Sequence, residues 1–187
     1  MASSPAGQEQ RIEARIWQEL QRATRDRHHE WRTPVLASLG PEQQVDARTV
    51  VLRRVDIAGK VFEIYTDLRS AKVAAFRKHP RGLLHCWSKR LRWQLRIAVE
   101  VSVHDAGPYV EELWDQIKAT AAAKDYLSPR APGTLLSAGP GSSTEVAQPH
   151  CFCLLKASFI EMDWLALGRE GHERARLSVD GWQWLVP

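Results

Sequence analysis

No apolar run in this chain approaches the roughly 20 residues that a helix needs to cross a bilayer, so no membrane partner is expected. The opening stretch MASSPAGQEQRIEAR lacks the apolar core of a secretory signal, and the expected compartment is the cytoplasm. Cysteine is scarce. Cys86, Cys151 and Cys153 make an odd set without framework spacing, which suits a reducing compartment and excludes a disulfide scaffold. His150, Cys151 and Cys153 have no second pair spaced to complete four zinc ligands, so no metal is expected. There is no Gly-x-Gly-x-x-Gly and no P-loop, which removes the nucleotide folds built on those loops. A dense basic block is also missing. The formal charge is only +4 and the arginines are spread along the chain, so a nucleic-acid partner is not expected. A small phosphorylated ligand, which uses a few cations, fits better.

At 187 residues the chain has the length of one domain, taken as 1–187. Ser3-Ser4-Pro5 opens a helix within an N-terminal segment of residues 1–30, and Ile12, Ile16, Leu20 and Ala23 mark its apolar face. His28-His29 reads as its solvated end, where imidazoles meet the negative pole of the helix. Strands are expected over 33–39, 47–53 and 60–66, the last two joined as a hairpin at Asp56 to Gly59. A helix capped by Ser70 runs over Ala71 to Lys78 and stops at Pro80. A hairpin follows over 82–87 and 91–104, then a helix over 108–123. Residues 124–149, rich in glycine, proline and serine, read as a long loop. Strand character resumes over 150–157 and 159–167, and a last hairpin turns at Asp180-Gly181. The sum is a mostly β domain with flanking helices, six to eight antiparallel strands, and closure into a barrel to remove the edges.

The stretch from Ala47 to Val101 carries the chemistry. Arg48 and Arg53 bracket an apolar strand, Tyr65-Thr66 ends the next one, and Ser70-x-Lys72 opens a helix. Cations favour a phosphate through charge-assisted bonds, and a helix start adds amide donors. Lys72 in a first turn opposes the helix dipole, which argues for a nearby anion. Taken singly, Arg48 and Arg53 read equally well as strand-end charges, Gln94 as an exposed strand residue, and Tyr65 and Trp164 as core. Their order is what points to a phosphate held beside a flat ring.

These residues, with His79-Pro80, Trp87, Ile160 to Trp164, His172-Glu173-Arg174 and the closing Trp184 to Pro187, resemble the flavin-binding half of the pyridoxamine 5′-phosphate oxidases. The resemblance implies a split β-barrel that forms a homodimer, with FMN in the clefts between subunits and a small-molecule substrate over the flavin. It implies that Arg48, Lys72 and the Thr66 hydroxyl hold the flavin phosphate, beside the helix start at Ser70, and that Val51, Leu52 and Arg53 line the ring. Tyr65 would place the ribityl chain, and Gln94 would contact the cofactor. Trp164 and Arg174 would approach from the partner subunit. Three positions differ from the family pattern. Ala71 replaces an arginine before the helix lysine, a Gln-Ser pair has no counterpart in 124–149, and Glu170 stands where an arginine meets the substrate phosphate. A carboxylate there repels a phosphorylated vitamer, so the expected reaction is an FMN-dependent oxidoreduction of a different small substrate. A flavin, haem or deazaflavin binder without turnover is the alternative. No catalytic acid or base is evident; His172 is the candidate, equally readable as a structural histidine.

Overall fold

The computed structural model describes residues 5–40, 42–136 and 150–187. Helix α1 spans Pro5–Arg25; the expected cap at Ser3-Ser4 lies outside the described residues. Its face of Ile16, Trp17, Leu20 and Ala23 is buried against the sheet. His29 is not the solvated helix end expected from the sequence. It is buried and starts a 3₁₀ turn, Glu30–Arg32, its Nδ1 accepting from the Trp31 amide at 3.1 Å and its Nε2 lying 2.8 Å from Glu19. The turn drives Trp31 into the core, and that burial outweighs the solvation of one imidazole.

Nine strands follow among the described residues, one more than expected, all paired antiparallel. They are β1 Val35–Leu39, β2 Val45–Thr49, β3 Leu52–Asp56, β4 Val61–Asp67, β5 Arg81–Ser88, β6 Trp93–His104, β7 Phe152–Ala166, β8 Glu173–Ser178 and β9 Gly181–Leu185. Helix α2, Ala71–Lys78, follows β4, and α3, Pro108–Ile117, follows β6. The helix expected over 108–123 stops at Ile117 and is succeeded by a 3₁₀ segment, Ala121–Tyr126. Of the loop expected over 124–149, residues 137–149 lie outside the described residues. Among the described residues no helix is long and apolar enough to cross a membrane.

The order across the sheet is β2-β1-β5-β6-β7-β4-β3. Strand β7 organises it. One edge pairs with β6 along its length; on the other, β4 takes residues 152–158 and β8 takes 162–166, with β9 beyond β8. The run expected as one strand over 47–53 is two. Val50 and Val51 carry the chain from β2, at one end of the sheet, to β3, at the other. A link that short spans at most about 11 Å between the flanking Cα atoms, so the sheet curls until its ends nearly meet. The expected barrel closure is absent: β2 and β3 form no ladder with one another. What remains is a seam.

The main core lies inside this curl, with Leu36, Leu52, Phe62, Ile64, Leu95, Ile97, Leu155 and Met162 all buried. A smaller core of Val110, Leu113, Tyr126, Phe152 and Leu154 packs on the other face under α3. Strands β4 and β7 are therefore buried on both faces, which explains why 152–155 reads as a continuous apolar run rather than an alternating one.

Candidate functional site

Across the seam, β2 brings Arg48 towards the end of β4 and the start of α2. The Arg48 guanidinium donates from Nη1 to the Leu36 carbonyl at 3.0 Å and to Ser38 Oγ at 2.9 Å, and its Nη2 is paired with Asp46. Lys72, in the first turn of α2, donates from Nζ to Thr66 Oγ1 at 2.9 Å, and that hydroxyl lies 3.3 Å from Ser70 Oγ. Ser70 occupies the N-cap position, yet its side chain makes no cap hydrogen bond to the helix. The turn Asp67-Leu68-Arg69, which carries the chain out of β4, places it there, the Asp67 carboxylate accepting from the Arg69 amide at 2.7 Å. Burial pushes the Lys72 ammonium below its usual range and the nearby Arg48 charge pushes it further, while Asp67 and Asp46 partly offset both. Two cations that repel each other, with two hydroxyls alongside, make a cradle for a multiply charged anion.

The second group surrounds the exit from the seam. Leu52 pairs with Ile64 and Arg54 with Glu63, so Arg53 is the extra residue of a β-bulge. The bulge turns its guanidinium over the Tyr65 ring, 5.7 Å from the centroid, where it also hydrogen-bonds Tyr126. Arg53 Nε is buried without a hydrogen-bond partner, an orphan donor on the Tyr65 face of β4. Burial, with the Glu63 charge, pushes the Tyr65 phenol up to about 12, so at neutral pH it keeps its proton and can donate. Leu52, the first residue of β3, is buried, and Val51, on the link before it, is half-buried.

Gln94, Trp164 and Arg174 do not join these residues within one protomer. Gln94 pairs across to Leu165 and Leu165 to Arg174, whereas Thr66 pairs with Cys153 at the other end of β7. At about 3.3 Å per residue the two groups are on the order of 30–40 Å apart along the strand. Gln94 Oε1 lies 3.2 Å from His85 Nε2. Arg174 and Arg96 both bind Asp163, at 2.8 and 2.6 Å. Burial lifts the Asp163 carboxyl, but the bonds from Arg174 and Arg96 outweigh it and hold the group below the usual range. Trp164 is only 2 % exposed and packs on Trp93, Trp182 and Trp184 of its own chain. His172 and Glu170 are exposed on the link between β7 and β8.

The sequence reading missed Asp46, Ser38 and Tyr126. Strand alternation places Asp46 on the face of Arg48, two residues away, and could have found it. Ser38 and Tyr126 are brought in by pairing between distant segments, for which a single sequence carries no local signal.

The donor set suits a flavin mononucleotide: two cations and two hydroxyls for a phosphate, and an orphan arginine donor with an aromatic ring nearby for the tricycle. Residues 14–105 match the model of the pyridoxamine 5′-phosphate oxidase FMN-binding domain. No curated protein matches the chain. Among solved structures, a pyridoxamine 5′-phosphate oxidase-related, FMN-binding protein from Nostoc punctiforme is similar over 100 % of both chains, at 20 % identity and a TM-score of 0.73. PhzG from Burkholderia lata, solved with tetrahydrophenazine-1-carboxylic acid, is similar over 100 % of this chain and 98 % of its own, at 16 % identity and a TM-score of 0.70. General Stress Protein 26 from Bacillus anthracis covers 80 % of this chain and 92 % of its own, at 13 % identity and a TM-score of 0.52. In sequence through residues 14–105, and in fold over its whole length, this chain is similar to the pyridoxamine 5′-phosphate oxidase-related, FMN-binding proteins.

Proposed function

We propose that this protein binds FMN and acts as a homodimeric FMN-dependent oxidoreductase on a small organic substrate. The observation that supports this most directly is the convergence of Arg48 and Lys72 beside the Thr66 and Ser70 hydroxyls at the seam. A phosphate bound there relieves the repulsion between the cations and uses α2's N-terminal dipole. Arg53 offers its unpaired Nε–H to the polar edge of the ring, with Val51 and Leu52 alongside and Tyr65 towards the ribityl chain. The flavin, when bound, supplies the redox chemistry; the chain's own residues bind it, orient it and exclude water from one of its faces.

The separation of Gln94, Trp164 and Arg174 from the phosphate cluster supports the dimer. In a two-fold pair, the far end of one β7 can lie beside the seam of the other, so that Arg174 reaches a ligand its own protomer cannot. Substrate chemistry is set apart from the vitamer phosphate by Glu170, whose carboxylate disfavours a phosphorylated tail. The alternative, a flavin, haem or deazaflavin binder without turnover, draws support from the exposure of His172 and Glu170, which leaves neither in a desolvated position suited to proton transfer.

Flavin fluorescence titration tests the binding. FMN is expected to be quenched by the wild-type protein, and Arg48→Ala with Lys72→Ala to weaken it by on the order of a hundredfold or more. Unchanged affinity in that double variant refutes the phosphate site. Anaerobic reduction of the bound flavin, followed by oxygen and a panel of organic acceptors, separates enzyme from binder: only an enzyme accelerates reoxidation selectively.

A further inference from the structure

Asp46 is the carboxylate that meets Arg48. It lies two residues earlier on β2 and on the same face, and β2 is the strand at one end of the sheet. The Arg48 side chain is 18 % exposed, against 52 % for Asp46. The donors of Arg48 are unequally committed. Nη1 has two hydrogens, and the Leu36 carbonyl and Ser38 hydroxyl take them. An anion entering the seam must therefore approach by Nη2 and Nε, and Asp46 already holds Nη2.

We propose that Asp46 is a resident counter-anion of the phosphate site: it occupies the Nη2 side of Arg48 in the free protein and must yield it to the incoming phosphate, so it sets the affinity of the site. This rests on the FMN reading above. An ion pair so open to solvent is weak, and its carboxylate can swing to water at the sheet end. A dianion that engages Arg48 and Lys72 together outcompetes it, but only after the displacement and against residual repulsion. Asp46 is thus an affinity-lowering residue within an otherwise cationic cradle. Removing its charge while keeping its shape strengthens binding of the phosphate and leaves the ring contacts as they were.

The test is a fluorescence titration of FMN and of riboflavin, which lacks the phosphate, into wild-type protein and Asp46→Asn, with Asp46→Ser as a second variant should the amide misfold. Melting temperatures near that of the wild type establish that the variants fold. The expected result is FMN affinity raised roughly two- to fivefold, riboflavin affinity unchanged, and a gain that shrinks as salt is added. Wild-type binding of FMN with unchanged or weakened affinity in a folded variant overturns the role of Asp46 and leaves the FMN reading intact. A gain shared equally by riboflavin also overturns it. Failure of every folded protein to bind FMN overturns both.

Discussion

Lys72 and Tyr65 sit on neighbouring segments and respond to alkali in opposite ways. Tyr65 has a folded pKa raised to about 12 against an ordinary 10, so its neutral phenol favours the fold below pH 10, and that contribution is lost as pH rises towards 12. Lys72 is lowered by burial and by Arg48. Its charged form disfavours the fold, and the penalty fades as pH rises through the lowered value towards the ordinary 10.5. Tyr65→Phe is expected to flatten the loss of stability between pH 10 and 12, read from denaturant midpoints across that range. A parallel expectation concerns the thiols. Burial pushes Cys86 up to about 12 and Cys153 up to about 11, so neither forms thiolate near neutrality. Ellman's reagent at pH 8 should titrate Cys151 alone in the native protein and all three cysteines after denaturation. At this scale the sequence was legible where a side chain acts on its near neighbours, as with Ser70, Lys72 and Thr66. It was silent on the direction of the Arg53 side chain, which depends on a bulge between β3 and β4 that leaves no mark in composition.

The connection between β5 and β6 shows how an element is held by a residue outside it. The Glu30 carboxylate, from the 3₁₀ turn after α1, accepts from the Ser88 hydroxyl, the Lys89 amide at 3.0 Å and the Arg90 amide at 3.2 Å. The Ser88 bond, ahead of an opposing desolvation, holds the Glu30 carboxyl below its usual range. The stabilisation is thus present above the ordinary pKa of about 4.5 and lost as pH falls through the lowered value. Glu30→Ala is expected to cost about 1–2 kcal/mol at pH 7, and progressively less as falling pH takes the same bonds from the wild type; chemical denaturation over a pH series downward from 7 checks both. Helix α2 was the most legible element, since a serine cap and a proline stop bound it to Ala71–Lys78. The strand expected over 47–53 was misread because an apolar run does not disclose a change of sheet partner. Ser158 looked like a break between two strands, yet it pairs with Val61 of β4 and Glu100 of β6, and β7 continues past it through a bulge at Ile160. Pairing, not propensity, decided both cases.

For the molecule as a whole, the path of β7 fixes what can be removed. The stretch matched to the FMN-binding domain, residues 14–105, contains β4 and β6 but not the strand that lies between them. A fragment of residues 1–105 therefore exposes two open edges and the buried faces of Phe62, Ile64, Leu95 and Ile97, and is expected to aggregate or remain unfolded, by circular dichroism and gel filtration. The full chain should elute with a mass about twice 21.2 kDa if two protomers complete each flavin site, with Arg174→Ala weakening FMN affinity by roughly tenfold through the partner. The antiparallel, mostly β class was evident from the sequence, because alternation and turn residues recur throughout. The seam was not, since it follows from where β2 and β3 lie rather than from what they are made of. The position of β7 also orders events at the ribosome. Segments synthesised earlier, β4 and β6 among them, must wait, each with an unsatisfied flank, until residues 152–166 emerge. Ordering of the sheet then follows the arrival of a strand whose partners lie far back in the chain, the kind of long-range pairing that slows folding.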